Sequence, residues 1–366
     1  MSPYSQLASW IIYFGMPVVA FYHQIHENIF LGVAAEDAEG LEKIGNILLT
    51  PVQYILDGKK AVVQEDGISY KLQPNFEYHD HLTLKLTSSV LFLQPSLLLG
   101  SIVKGAGYLS EGTNSRLERL KKALKAQEMH SHHEEYTTMG IDLSHFDHPE
   151  SIDLPLHKRR PGEENHFQEE KECFKEIVSL LNKNQIVYWA DCGTCLGAYR
   201  YGGIIPWDHD IDLSVLSPDF SNVMNVLKDL DPEKYHVQDW SGRDKPNTYI
   251  RIYVKNTRSH IDIYHFAIDE KAKTISSIVS NEESAFLPRS WKIREGRFKV
   301  ATPFDLVFPL KKAQFDGMEV FVPNMTKQYL QMRYGENIDP VKIYNEKTNT
   351  YEKDLSHPYW QLPYAY

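Results

Sequence analysis

Three cysteines in 366 residues are too few for a disulfide framework. Basic residues are outnumbered, 39 Lys and Arg against 49 Asp and Glu, and the net charge is −10. A general nucleic-acid binder carries a basic face, so no nucleic-acid partner is expected. No internal repeat breaks the chain into a solenoid. The first 22 residues hold no charged side chain. The apolar run at 10–22 is nevertheless short for a bilayer span of about 20 residues, and Gly15 and Pro17 interrupt it. With no Lys or Arg before it, a secretory signal is not expected. A second apolar run, 90–99, contains Pro95.

At 42% hydrophobic and 12% aromatic, the composition suits a globular protein large enough for two domains. Residues 1–129 read as a mainly α-helical N-terminal region. Within it, Arg116, Arg119, Lys121, Lys122 and Lys125 surround Leu117, Leu120 and Leu124, the pattern of a basic amphipathic helix. That helix and the apolar runs fit either a membrane-surface element weakened by salt or a soluble helical subdomain. The corresponding location is cytoplasmic or peripheral to a membrane. Residues 130–164 are polar and rich in histidine and proline. They read as a linker, since no helical or hairpin spacing gathers the histidines into a metal site. A second domain is expected over 165–345, opening on a helix with Phe167, Phe174, Ile177, Val178 and Leu181 on one face. An aromatic tail, 346–366, ends the chain.

The densest chemistry lies in 188–215. A short apolar strand is followed by the turn residues Asp191, Gly193 and Thr194 and then by a short helix. Gly202 and Gly203 break that helix, and Pro206 precedes a run with Asp208, Asp210 and Asp212 at alternate positions. On a β-strand these three carboxylates share one face, and their repulsion calls for a cation. Mg²⁺ (or Mn²⁺) takes such ligands together with substrate phosphates. Gly193 and Thr194, opening a helix, are expected to cradle phosphate with free backbone N–H groups. The cradle and the cation site stand close in sequence, as phosphoryl transfer requires. Asp191 is a candidate helix cap, and Trp207 is expected to pack rather than stack on a base. Cys192 and Cys195 read as packing residues rather than a redox or zinc pair. The runs at 249–254 and 260–266 alternate as a hairpin would, with Asp262 facing away from Ile261 and Ile263. Asp262 is expected to complete the site as ligand or base, or else to pair with Arg251 or Arg258. Arg200 and Lys311 are candidate charge stabilisers, with surface pairing as the alternative.

The stretch Asp191-Cys192-Gly193-Thr194-Cys195-Leu196-Gly197-Ala198-Tyr199-Arg200, continued by Gly202 to Asp212, resembles the LicD/fukutin family. The departures are Cys192 and Cys195, where that family has Gly and Leu, and His209, where many members have Asp. Asp262, Phe308 to Lys311, Phe315 to Gly317, Val322 to Asn324 and Tyr334-Gly335 look like its later signatures, so the resemblance covers roughly 165–340. It implies an α+β fold, a nucleotidyltransferase-like mixed sheet flanked by helices. It also implies a transferase moving a phosphocholine or phosphoribitol unit from a CDP-activated alcohol donor to a glycan or glycolipid hydroxyl. A true nucleotidyltransferase and an inactive membrane-docked interaction protein are the alternatives.

Overall fold

The computed structural model describes residues 18, 21–22, 33–56, 58–64, 70–76, 81–125, 129–152, 157–241, 245, 247–278 and 288–365. The first run, 10–22, lies outside these apart from Val18, Phe21 and Tyr22. Two compact units divide the chain, Met1–Glu128 and Met129–Tyr366.

The first unit runs β1 (Val33–Ala35), α1 (Gly40–Leu48), α2 (Thr50–Ile55), β2 (Lys59–Val63), β3 (Tyr70–Pro74), α3 (Leu82–Gly107) and α4 (Glu111–Lys125). Strand β2 pairs parallel with β1 and antiparallel with β3. This small sheet is additional to the helices expected there. Its strands are only three to five residues long, too short to display alternation in the sequence. Helix α3 passes through Pro95 without ending. The basic helix α4 is committed inside its own unit. Leu117 and Leu120 are buried. The Arg116 guanidinium lies 2.6 Å from Glu42 and 3.1 Å from Asp37. The described leucines of the apolar face, Leu117 and Leu120, are therefore occupied within the unit.

The second unit begins with α5 (His133–Thr138) and β4 (Glu150–Ser151), then α6 (Gln168–Lys183), β5 (Tyr188–Ala190), α7 (Cys192–Tyr201) and β6 (Ile211–Leu216). It continues through α8 (Phe220–Val226), β7 (Tyr235–Asp239), β8 (Tyr249–Val254), β9 (His260–Asp269) and β10 (Thr274–Ser277). The C-terminal part holds α9 (Arg289–Gly296), β11 (Thr302–Pro303), α10 (Phe304–Val307), β12 (Lys311–Phe315), β13 (Met318–Val322), α11 (Thr326–Tyr334), β14 (Lys342–Asn345) and β15 (Thr350–Lys353). Seven strands form the main sheet. β9 lies at its centre, parallel to β6 and antiparallel to β8 and β10. The architecture is α+β with a mixed sheet. Helix α6 buries Cys173, Phe174, Ile177, Val178 and Leu181, the face its periodicity indicated.

The stretch 130–164 is built into this unit rather than bridging to it. β4 pairs with β12, and the Tyr136 hydroxyl donates to Asp219 at 2.8 Å. His145 is buried between the rings of Phe146 and Phe321. The basic run pairs off as well: Lys158 with Glu346, Arg159 with Asp316 and Arg160 with Glu163. Short elements rich in His and Pro look solvated in sequence, because the partners that bury them are far along the chain. The C-terminal tail likewise packs: Tyr351 meets Trp207 edge-on at 5.3 Å.

Candidate active site

Helix α7 starts at Asp191, whose carboxylate accepts the Cys192 N–H at 2.8 Å. Gly202, in the left-handed region at φ 61°, ends it. Asp191 is buried and fully engaged, taking 2.7 Å hydrogen bonds from the hydroxyls of Ser214 and Tyr329. Its backbone N–H donates to the Asp212 carbonyl, so it ties α7 to β6. Both cysteines are free, and burial pushes their thiols well above the usual range, which leaves them as packing residues. Cys192 sits at φ 48°, a conformation costly for any residue with a Cβ. Glycine, the residue at this place in the family the motif resembles, would carry no such cost. Cys192→Gly should raise stability by about 1 kcal/mol, read as a higher urea midpoint; a lower midpoint would show that the thiol's packing outweighs the strain.

The loop between α7 and β6 is fastened from below. Asp316 accepts from Ile204 N–H at 3.0 Å and from Arg159 at 2.5 Å. A turn over Pro206 and Trp207 follows, closed by Asp208 N–H on the Ile205 carbonyl at 2.9 Å. The ladder with β9 begins only at Ile211. Of the three aspartates expected on one strand, only Asp212 is in the sheet; Asp208 and Asp210 reach it from the loop. They still cluster. Burial and the neighbouring Asp210 carboxylate push Asp208 up to about 8. Asp212 is raised in the same direction, first by burial and then by Asp210, Asp262, Asp208 and Asp191.

Strand register supplies the rest of the site. Asp212 lies beside Asp262 across the β6–β9 pair, and Arg251 lies opposite Asp262 across β8–β9. Asp212, Asp262 and Arg251 thus occupy adjacent places on three neighbouring strands. Arg251 donates through Nε and Nη2 to the two Asp262 oxygens, each at 2.7 Å. The Tyr249 hydroxyl adds a third bond at 2.7 Å, and its ring stacks on Tyr264 at 5.1 Å. The ion pair with Arg251 and proximity to Asp212 hold together; they are not alternatives. His260 Nε2 stands 3.6 Å from Asp262, and burial lowers its pKa. Tyr249 and His260 carried no signal in the sequence beyond strand alternation.

Four expected site residues have partners within the protein. Gly193 faces the Asp208 carboxylate: a Cβ there would stand within 3.0 Å of Oδ2. Thr194 is buried, and its Oγ1 accepts the Asp212 backbone N–H at 2.8 Å, so it positions β6. Arg200 is buried and donates to the carbonyls of Ile338 and Asp339 at 2.6 and 2.7 Å, which fastens α7 to the C-terminal region. Lys311, on β12, pairs with Glu150 at 3.3 Å. For Lys311 this is the surface pairing expected as the alternative, whereas the buried Arg200 has partners distant in sequence.

One atom tests whether the cluster suits a cation. Asp212 Oδ1 is buried without a hydrogen-bond partner. A buried carboxylate oxygen left bare among like charges is costly, and a hard cation is the ligand such a set of oxygens fits. A second cluster is gathered at the start of α5, where the ligand atoms of His130, His132 and Glu135 lie within 4.8 Å of one another. The helix there brings those side chains closer than a linker would.

Residues 185–325 match the family model for the LicD/FKTN/FKRP nucleotidyltransferase domain, so the resemblance read in the motif holds for this segment. Among particular proteins, the chain is similar to an uncharacterized protein of Rickettsia prowazekii, 29% identical over 43% of this chain and 53% of that one. It is also similar to the mouse ribitol 5-phosphate transferase FKRP, at 24% over 46% of this chain and 31% of that one. The human ribitol-5-phosphate transferase FKTN is 27% identical over 48% and 35%. The chain thus spans about half or less of the curated relatives it matches. A lincomycin-bound lincosamide adenylyltransferase aligns at 16% identity and TM-score 0.28, over 44% of this chain and 84% of that one, too low a score to support an argument.

Proposed function

We propose that the second unit is a transferase of nucleotidyltransferase-like fold. In this reading it moves a phospho-alcohol unit from a CDP-activated donor to a glycan or glycoconjugate hydroxyl, with Mg²⁺ or Mn²⁺ bound. The observation that carries the reading is the bare, buried Asp212 Oδ1 within the carboxylate cluster. The family model and the ribitol-phosphate transferases among the relatives supply the cargo class. Asp208, Asp210 and Asp212 would hold the ion, which when bound neutralises diphosphate charge.

The chain's own groups do the remaining work. Thr194 fixes the height of Asp212 on β6 through its backbone. Arg251 and Tyr249 hold both Asp262 oxygens, which favours Asp262 as a fixed charge orienting the site over a proton acceptor. His260, neutral at neutral pH because burial lowers its pKa, is the base beside the carboxylates. A product assay with labelled CDP-choline, CDP-ribitol and nucleoside triphosphates tests the reading. Phospho-alcohol on a glycan supports it; incorporated nucleotide means a nucleotidyltransferase; no turnover with any donor means an interaction protein.

Gly193→Ala probes the geometry of the cluster. The added methyl displaces the Asp208 carboxylate. Mn²⁺ affinity measured by calorimetry should fall about 10- to 100-fold, the usual effect of disturbing a ligand's support. Unchanged affinity would place the ion away from Asp208.

A further inference from the structure

We propose that α3 lies in the hydrocarbon of a lipid bilayer as a membrane helix, with α1 packed beside it. This goes beyond the proposed reaction and does not depend on it.

The polarity of α3 is inverted. Its buried residues are Ser89, Ser96, Gly100, Lys104 and Gly107. Its exposed residues include Leu84, Leu91, Phe92, Leu98, Leu99 and Ile102, with Leu84 and Leu91 each 72% exposed. A helix of a soluble protein does the opposite, turning an apolar stripe inward and polar residues to water. At about 100° per residue, the exposed apolar positions from Val90 to Phe92 cover about 200° of the circumference. A protein partner covers one face of a helix, whereas acyl chains cover all that remains open.

Packing inside the unit follows the same rule. Helix α1 runs antiparallel to α3, with glycine at close approaches. A Cβ on Gly45 would come within 2.7 Å of Lys104 Cα, and one on Gly107 within 2.9 Å of Glu42 N. A Cβ on Gly100 would stand 3.1 Å from Leu49 N. Small residues that let backbones touch are the usual contact of membrane helices, where burial of apolar area drives nothing. Helix α1 also turns Leu41, Ile44 and Ile47 outward.

Four hydroxyls of α3 are satisfied internally, as lipid demands. Ser96 donates to the Leu48 carbonyl and Ser101 to the Leu97 carbonyl. Thr87 donates to the Thr83 carbonyl at 2.8 Å and Ser88 to the Lys85 carbonyl at 3.0 Å. Gln94 and Pro95 interrupt the apolar surface midway; proline is tolerated in membrane helices where hydroxyls re-satisfy freed carbonyls. Length agrees as well. The 26 residues of α3 span about 39 Å at about 1.5 Å each, against a hydrocarbon core of about 30 Å. No residue between Lys85 and Lys104 is charged. Lys104 directs its ammonium to the Val33 carbonyl at 2.7 Å.

Flotation of the full chain with pure phosphatidylcholine vesicles tests the proposal. The chain should float without anionic lipid and stay with the vesicles through high salt and alkaline carbonate. The double variant Leu91→Glu, Leu98→Glu should lose at least about tenfold of the bound fraction, since charge at the middle of a membrane helix is costly. Leu109→Glu, beyond the end of α3 and 89% exposed, should float like the parent chain. Circular dichroism in detergent verifies that the variants are folded. Release by salt, or a requirement for anionic lipid, would overturn insertion in favour of surface binding. A soluble monomer without lipid would overturn it outright, and so would a soluble oligomer split by the double variant, which would make α3 a self-association face.

Discussion

Asp212→Asn should abolish turnover and leave the metal-free protein as stable as the parent or more so. Asp212 is buried beside four other carboxylates, and each of them raises its pKa. Replacing it with a neutral isostere removes repulsion without leaving a cavity. Loss of a charge aimed at the transferring group costs about 10²- to 10³-fold or more in rate. The same physics sets a pH dependence. Asp208 is raised to about 8 in the folded chain against 3.8 ordinarily. Between those values the folded state keeps a proton that the unfolded chain has released. Metal-free stability should therefore fall as pH rises through that window, and saturating Mg²⁺ should reverse the slope. Thermal melting across pH, with and without Mg²⁺ and beside the product assay, measures all of this. Full activity in Asp212→Asn would remove the carboxylate cluster from the mechanism.

Breaking the Arg251–Asp262 pair should be the most destabilising single change in the second unit. Asp262 is buried, with Arg251 largely so, and three donors serve the carboxylate. Removing either partner leaves a buried charge without its counter-ion, at about 3–5 kcal/mol. Arg251→Ala and Asp262→Ala should each show that loss in urea denaturation. The double change Arg251→Met, Asp262→Leu should recover most of it, because an apolar pair of similar volume avoids desolvating two ions. Turnover should remain absent in the double variant if Asp262 orients the site. A loss below about 1 kcal/mol in both single variants would mean that water screens the pair as it does a surface salt bridge.

Local features of the site were legible in the residues. Asp191 capping α7, the break at Gly202 and the packing role of Cys195 follow from positions a few residues apart. The helical face of α6 and the 249–266 hairpin were equally local. The family motif was contiguous, so its matched region was legible too. The extent of β6 was not. Alternation from Asp208 onward looks like a strand, yet Pro206 and Trp207 make a turn, and pairing starts only where β9 is available. Arg200 and Lys311 were read from charge alone, and their partners lie 138 residues away at Ile338 and across the sheet at Glu150.

The sequence by itself determined which carboxylates are present, where the family motif lies and which segments are apolar. Only the tertiary structure decided that Asp262 stands beside Asp212 and opposite Arg251, because strand register is a long-range property. It also decided that α3 hides Ser89, Ser96, Gly100 and Gly107 and shows most of its leucines. Composition is the same whichever way a helix faces; the side it turns outward is set by the helices packed against it.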